Sequence, residues 1–164
     1  MRAPRKLGAY GVTVALGLFG ATGLMKQCEP APAPSATVST NDCVTLVNKE
    51  RAARGIAPVT VDNRLTNAAQ KHSEYQASIN KMTHTGRGGT NAGQRITAEG
   101  YSWSTWAENI AAGQRDCTQA MSAWMNSSGH RANILNSKMK NIGMGVAKSG
   151  SGTMFWTMDL ATQR

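Results

Sequence analysis

The sequence carries no block of like charge. Its formal net charge is +9, but Arg2, Arg5, Lys6 and Lys26 bracket an apolar N-terminal segment. From Cys28 onward fourteen Lys and Arg face nine Asp and Glu, a balance of +5. These charges stand singly, with no aromatic residues interleaved, which excludes a dedicated nucleic-acid binder and leaves a soluble surface mildly attractive to anionic polymers. Aromatic residues are few: two Phe and three Tyr leave most ring packing to four Trp. No internal repeat is present, and 164 residues suffice for one domain with a real core rather than two. Several catalytic signatures are also missing. Without H-E-x-x-H there is no ready-made zinc-protease helix. Without G-x-S-x-G there is no ordinary hydrolase elbow. The stretch GRGGTNAG, 86–93, resembles a phosphate loop only in its glycines, because no strand precedes it and no Gly-Lys-Ser/Thr follows.

What is present begins with an export signature. Arg2, Arg5 and Lys6 form a positive start, and Leu7 to Met25 is a nineteen-residue uncharged run. Five glycines weaken it as a permanent membrane helix, yet its length reaches the spanning range, so residues 1–27 read as a signal peptide or an uncleaved N-terminal anchor. The small-residue sites ATG (21–23) and APA (31–33) are both imperfect for cleavage, and LMKQC lacks the small residues that a lipoprotein signal places before its cysteine. Residues 28–41, rich in Pro, Ala, Ser and Thr, read as an extended linker, and 42–164 as the folded domain. Export permits disulfides, and Cys43 and Cys117 are the two cysteines of that domain. A bridge between them would close a loop of about seventy-five residues and contribute roughly 3–4 kcal/mol. Two buried thiols without a bond are the alternative.

Periodicity predicts the elements. Asp42 is expected to cap a first helix ended by Gly55, with Val44, Leu46 and Val47 as its apolar contacts. Asp62 or Asn63 opens a second helix, on which Leu65, Ala68, Ala69, His72, Tyr75 and Ala77 recur at spacings of three and four. A Gly/Thr-rich loop and a short helix ending at Gly100 follow. WAENIAAG, 106–113, reads as a buried strand, and NIGMGVAKS and TMFWTMDLAT as a closing hairpin. The class is α+β, with helices on both faces of a small antiparallel sheet. Between the first and second strand candidates lies AWMNSSGHRANILN, 123–136. Gly129 suits the left-handed end of one helix and Ser128 the cap of the next, which would fix His130 at a helix start.

The candidate chemistry rests on three histidines and one acid. His72 lies in the apolar register of the second helix and reads as a hydrogen-bonded packing residue. His84 stands in MTHTG, where packing explains little. Glu108 is the one charged residue in a run of Trp, Ala, Ile and Gly, and burial there is costly unless the carboxylate is paired or faces a cleft. Two histidines and a glutamate on separate elements are the material of a divalent-metal site or of a hydrogen-bonded structural cluster. Asn126-Ser127-Ser128 also forms a glycosylation sequon at a helix end.

The order MTHTG, AENIAAG, AWMNSSGHRANILN, IGMGVA, FWTMDLA resembles the CAP superfamily of cysteine-rich secretory, antigen 5 and pathogenesis-related proteins, in its bacterial secreted SCP-like branch. The opening VTLVNKERAARGIAPVTVDNRL is similar too, so the likeness spans about 43–161. It implies an α-β-α sandwich whose larger members carry a cleft of two histidines and two glutamates, in some binding zinc or another divalent cation. By position His84, Glu108 (in AEN rather than GEN) and His130 correspond to three of these, and Ser127 stands where the second glutamate is expected. That leaves a metal set of His84, Glu108 and His130, with Ser127 and Asn109 lining the cleft. Losing one carboxylate weakens the case for tight metal binding.

Three functions are compatible with this pattern. The first is a secreted or envelope-associated, monomeric, non-catalytic module binding a lipid, sterol or cell-envelope component, with no nucleic-acid partner and a membrane link only through the N-terminal segment. The second is a purely structural His/Glu cluster. The third is a hydrolase, working through zinc-bound water or through Ser127 with His130 as base. The expectation ranks them in that order, with enzymatic activity last.

Overall fold

The computed structural model describes residues 39–164; the export or anchor segment, Cys28 and most of the predicted linker lie outside the described residues. Helix α1 spans Thr40–Ala52 and starts ahead of the expected cap. Ser39 holds the N-cap position, while Asp42 sits in the first turn, where its charge suits the helix N-terminus. Gly55 adopts the left-handed conformation beyond the helix end. A two-residue strand β1, Thr60–Val61, leads into α2, Asn63–Ser78, and Asp62 caps α2 by accepting from the Arg64 N–H. Helix α3, Ala92–Ala98, starts in a reciprocal cap between Asn91 and Gln94. Strand β2 is Trp103–Ala112, and α4, Cys117–Asn126, is capped by Asp116. Helix α5, Ser128–Ile134, precedes the hairpin of β3, Asn141–Lys148, and β4, Met154–Gln163.

The sheet has the order β1-β3-β4-β2. The three long strands pair antiparallel, as expected, but β1 joins β3 in parallel, so the sheet is mixed. Two residues are too short a run for alternation to register in sequence. Strand alternation divides the side chains between two layers. Trp156, Met158 and Leu160 of β4, with Ile142 and Met144 of β3, pack under α1, α4 and α5 in a cluster that includes Val47, Met121, Trp124 and Ile134. On the other face Ala161 packs with Leu65, Ala68, Ile96 and Tyr101 under α2 and α3. Helices cover both faces, giving an α-β-α sandwich.

Helix α2 lies unusually close to the sheet because β3 offers glycine there. A Cβ at Gly143 would fall 2.1 Å from the Leu65 carbonyl carbon, and one at Gly145 would fall 2.4 Å from that of Ala69. The opposite layer is tied at two points. The Cys43–Cys117 disulfide joins the first turns of α1 and α4 across a Cα separation of 5.1 Å. Arg51, fully buried, donates to the carbonyls of Ala57, Ile134, Asn136 and Met139 at 2.7–3.1 Å and so anchors the end of α5.

The break between α4 and α5 is displaced from its expected position. Gly129 is an ordinary residue inside α5, and Ser128 is the first residue of that helix rather than its cap. The pivot is Ser127, extended at φ −98° and ψ 122°, which interrupts the helix without a left-handed residue.

Two stability predictions follow from this packing. Gly143→Ala should lower unfolding free energy by about 1–3 kcal/mol or more, as overpacking does, read as a reduced urea midpoint. A change under about 0.5 kcal/mol would show that α2 can retreat at no cost. The Cys43→Ser/Cys117→Ser double variant should lose about 2–4 kcal/mol. Its melting temperature is expected to drop by roughly 8–16 °C in calorimetry.

Candidate functional site

Strand register decides what surrounds Glu108. It pairs with Asp159 across β2 and β4, so both carboxyls share the face covered by α2 and α3. Its side chain is only 2% exposed, and each oxygen meets a donor. Oε1 lies 2.7 Å from His84 Nδ1, and Oε2 accepts from Arg95 Nη2. Arg95, in the middle of α3, is 10% exposed; its Nη1 also donates to the carbonyls of His84 (3.1 Å) and Thr90 (2.9 Å). One guanidinium therefore ties the buried acid to the loop that carries His84.

Helix α2 grips the same loop from the other side. His72 Nε2 donates to the Thr83 carbonyl at 2.8 Å, and Gln76 Oε1 accepts from the Thr83 N–H at 3.1 Å. Gln76 Nε2 and Ser73 Oγ in turn reach Thr157 on β4 at 3.1 and 2.9 Å. His72 is thus the buried, hydrogen-bonded helix residue the register predicts. It also borders the cluster, with Nε2 3.9 Å from Glu108 Oε2. The outcome is a loop fastened at its backbone that leaves the His84 ring 59% exposed.

His130 is placed differently. Asn109 pairs with Met158, so its side chain lies on the opposite face from Glu108. Its Nδ2 donates to the His130 carbonyl at 3.0 Å, and its Oδ1 accepts from Asn133 at 2.8 Å. Asn109 is fully buried and serves as a tie between β2 and α5 instead of lining a cleft. Ser127 likewise belongs to the helix break. Among the described residues the His130 ring makes no hydrogen bond to Glu108, His84 or Ser127, and no group of three or more His, Cys, Asp or Glu converges as a metal-ligand set. The cavity beside the cluster, about 320 Å³, is lined by His84, Asn91, Ala92, Trp106, Ala107, Glu108 and Asn133. A divalent ion needs bare lone pairs aimed at one point, and the two Glu108 oxygens already face donors.

The electrostatics follow from burial. Asp159 is completely buried, and neither of its oxygens has a hydrogen-bond partner. Loss of hydration, then the neighbouring Glu108 charge, push its pKa well above the ordinary 3.8. A protonated Asp159 can donate to an ionised Glu108, which suits both groups. Burial, partly opposed by Glu108, lowers the His72 pKa and keeps that ring neutral. His130 is also lowered, by burial first and then by the charge of His84.

Arg95 and Asp159 are the members that sequence reasoning missed. Asp159 carried the same signal as Glu108, a lone acid in an apolar strand. Arg95 carried none, because nothing local to NAGQRITA marks one arginine as buried.

Residues 44–160 match the profile of the cysteine-rich secretory protein family, CAP. The uncharacterized protein YkwD of Bacillus subtilis is 37% identical over 114 residues, 70% of this chain and 43% of that protein. The uncharacterized membrane protein YlbC of the same organism is 30% identical over 110 residues, 67% of this chain and 32% of that one. The chain therefore spans less than half the length of either relative. Among solved structures, an extracellular SCP-domain protein of Bacillus anthracis superposes with TM-score 0.69 at 26% identity, over 75% of this chain and 40% of that one. An outer surface protein of Borrelia burgdorferi shares the fold with TM-score 0.70 at 20% identity, over 77% and 97% of the two chains.

The raised Asp159 pKa predicts a pH signature. The unfolded chain releases this proton near 3.8 while the folded chain retains it, so the stability Asp159 confers is complete below that pH and falls as pH rises above it. Asp159→Asn keeps a donor for Glu108 but removes the titration. Relative to the parent, the variant's unfolding free energy, measured by urea titration, should rise as pH climbs above about 4, by up to about 1.4 kcal/mol per unit until the folded-state carboxyl itself titrates. A pH-independent difference would place the proton elsewhere.

Proposed function

The chain belongs to the cysteine-rich secretory protein family, and from that premise we propose that it acts outside the cell or at the cell envelope as a non-catalytic module binding an amphipathic lipid. The observation that carries this reading is a groove between α1 and α4. It measures about 330 Å³ and is lined by Leu46, Met121 and Met125, with Lys49, Glu50, Thr118, Ser122 and Asn126 around them. That volume lies within the range of small-molecule sites, roughly 300–1,000 Å³. Methionine side chains adapt to an acyl chain at little cost. Glu50 is occupied by Arg54 at 2.7 Å, whereas Lys49 has no acidic partner among the described residues and is available to an anionic headgroup. The groove walls are the two helices that the disulfide joins, so the cavity is held open before any ligand arrives, which reduces the ordering cost of binding.

Placement outside the cell is supported by the positively charged start and apolar run at residues 2–25. The Bacillus anthracis and Borrelia burgdorferi proteins, described as extracellular and outer-surface, agree with it. Nucleophilic catalysis is disfavoured by what surrounds the histidines. The cavity at His84 is lined by no Ser, Thr or Cys, and Ser127 makes no hydrogen bond to His130. His84 and Glu108 instead belong to a network that fastens the loop to the sheet.

The test is displacement of a fluorescent fatty acid from the purified protein. Met125→Asp places a charge in the groove and Ser122→Trp blocks it from the exposed rim; each should weaken binding by about tenfold or more, about 1.4 kcal/mol. His84→Ala should leave the affinity unchanged. Parent protein that binds neither the fatty acid nor phospholipid vesicles would overturn the reading, as would folded groove variants that bind as the parent does.

A further inference from the structure

The family likeness puts a divalent cation beside Glu108; the geometry points to a different occupant. We propose that the Arg95 guanidinium stands in the cation's place, so that the cluster is assembled without metal and zinc is excluded from it. This inference is independent of the lipid groove.

A carboxylate at 2% exposure must be compensated by positive charge. In this chain the charge is built in. Arg95 donates to Glu108 Oε2 and, through Nη1, to the carbonyls of His84 and Thr90 at 3.1 and 2.9 Å. It thereby performs the organising task of a bridging ion, fastening a histidine loop on one element to a glutamate on another.

The donors are also few. His84 Nδ1 points at Glu108 Oε1 at 2.7 Å, so that nitrogen carries the proton and only Nε2 keeps a lone pair, one ligand where a zinc site needs three or more. His130 is held through its backbone to Asn109 and its ring makes no hydrogen bond to Glu108 or His84, and Ser127 replaces the second carboxylate expected from the likeness. Charge balance reinforces this. The guanidinium and the Glu108 carboxylate cancel, and Asp159 behind them is neutral while protonated. A divalent ion added to that set would leave two uncompensated positive charges in a largely buried site, which is strongly unfavourable.

The test is zinc titration calorimetry on the full-length purified protein, with melting measured in zinc and in chelator. The parent should bind no zinc in the low-micromolar range, and its melting temperature should be the same in both conditions. Arg95→Ala removes the competing charge and frees Glu108. It should gain at least about tenfold in zinc affinity over the parent and melt higher with zinc present, and Arg95→Ala/Glu108→Gln should lose that gain. If Arg95→Ala is unfolded in chelator, zinc should restore its circular dichroism spectrum, and failure to do so counts against the proposal. It is overturned if folded Arg95→Ala gains no affinity. It is also overturned if the parent binds one zinc tightly in a manner lost in Glu108→Gln, or if chelator lowers its melting temperature.

Discussion

A carboxylate buried on an edge strand dictates how one half of this molecule is arranged. Glu108 faces inward because its neighbours on β2 alternate, and an ionised group with so little solvent must be met by donors on every side. The donors come from two separate segments, Arg95 from α3 and His84 from the loop after α2, while Asp159 on β4 is the strand partner beside it. His72 and Gln76 then hold the loop that delivers His84. Each part is explained by the requirement to satisfy one acid.

The other constraint is the distance between layers. Gly143 and Gly145 let α2 rest on β3, and the small residues Ala68 and Ala69 on α2 match them. That close approach brings His72 and Gln76 within reach of both the sheet and the loop. A wider gap would leave Ser73, Gln76 and Thr157 as unpaired polar groups in the core. On the opposite face, large side chains (Trp124, Trp156, Met158) fill a thicker layer, and the disulfide and Arg51 fix its helices.

These two halves suggest a division of labour. The polar cluster is inward-facing, charge-balanced and rich in mutual hydrogen bonds, which suits rigidity better than turnover. The groove between α1 and α4 is apolar at its floor and open, which suits a ligand. In this reading the histidines and glutamate that draw attention in the sequence organise the scaffold, while recognition lies on the far layer.

The fold class was legible in the residues, as were the caps at Asp62, the hairpin, both helical layers and the pairing of Cys43 with Cys117, because each depends on local periodicity or on a small set of choices. The pairing of His84 with Glu108 was legible through the family resemblance and through the cost of an isolated acid in an apolar run. The parallel strand β1 was not, since two residues show no alternation. The helix pivot was assigned to Gly129 because glycine permits a left-handed turn, yet an extended Ser127 achieves the break. Arg95 was invisible because its role depends on where α3 lies relative to β2, and the hydrogen bond from Asn109 to the His130 carbonyl was invisible because it depends on where α5 lies against β2. Sequence determined which elements form and which faces they bury; tertiary structure alone decided which charges meet, because a buried charge finds its partner through space and not along the chain.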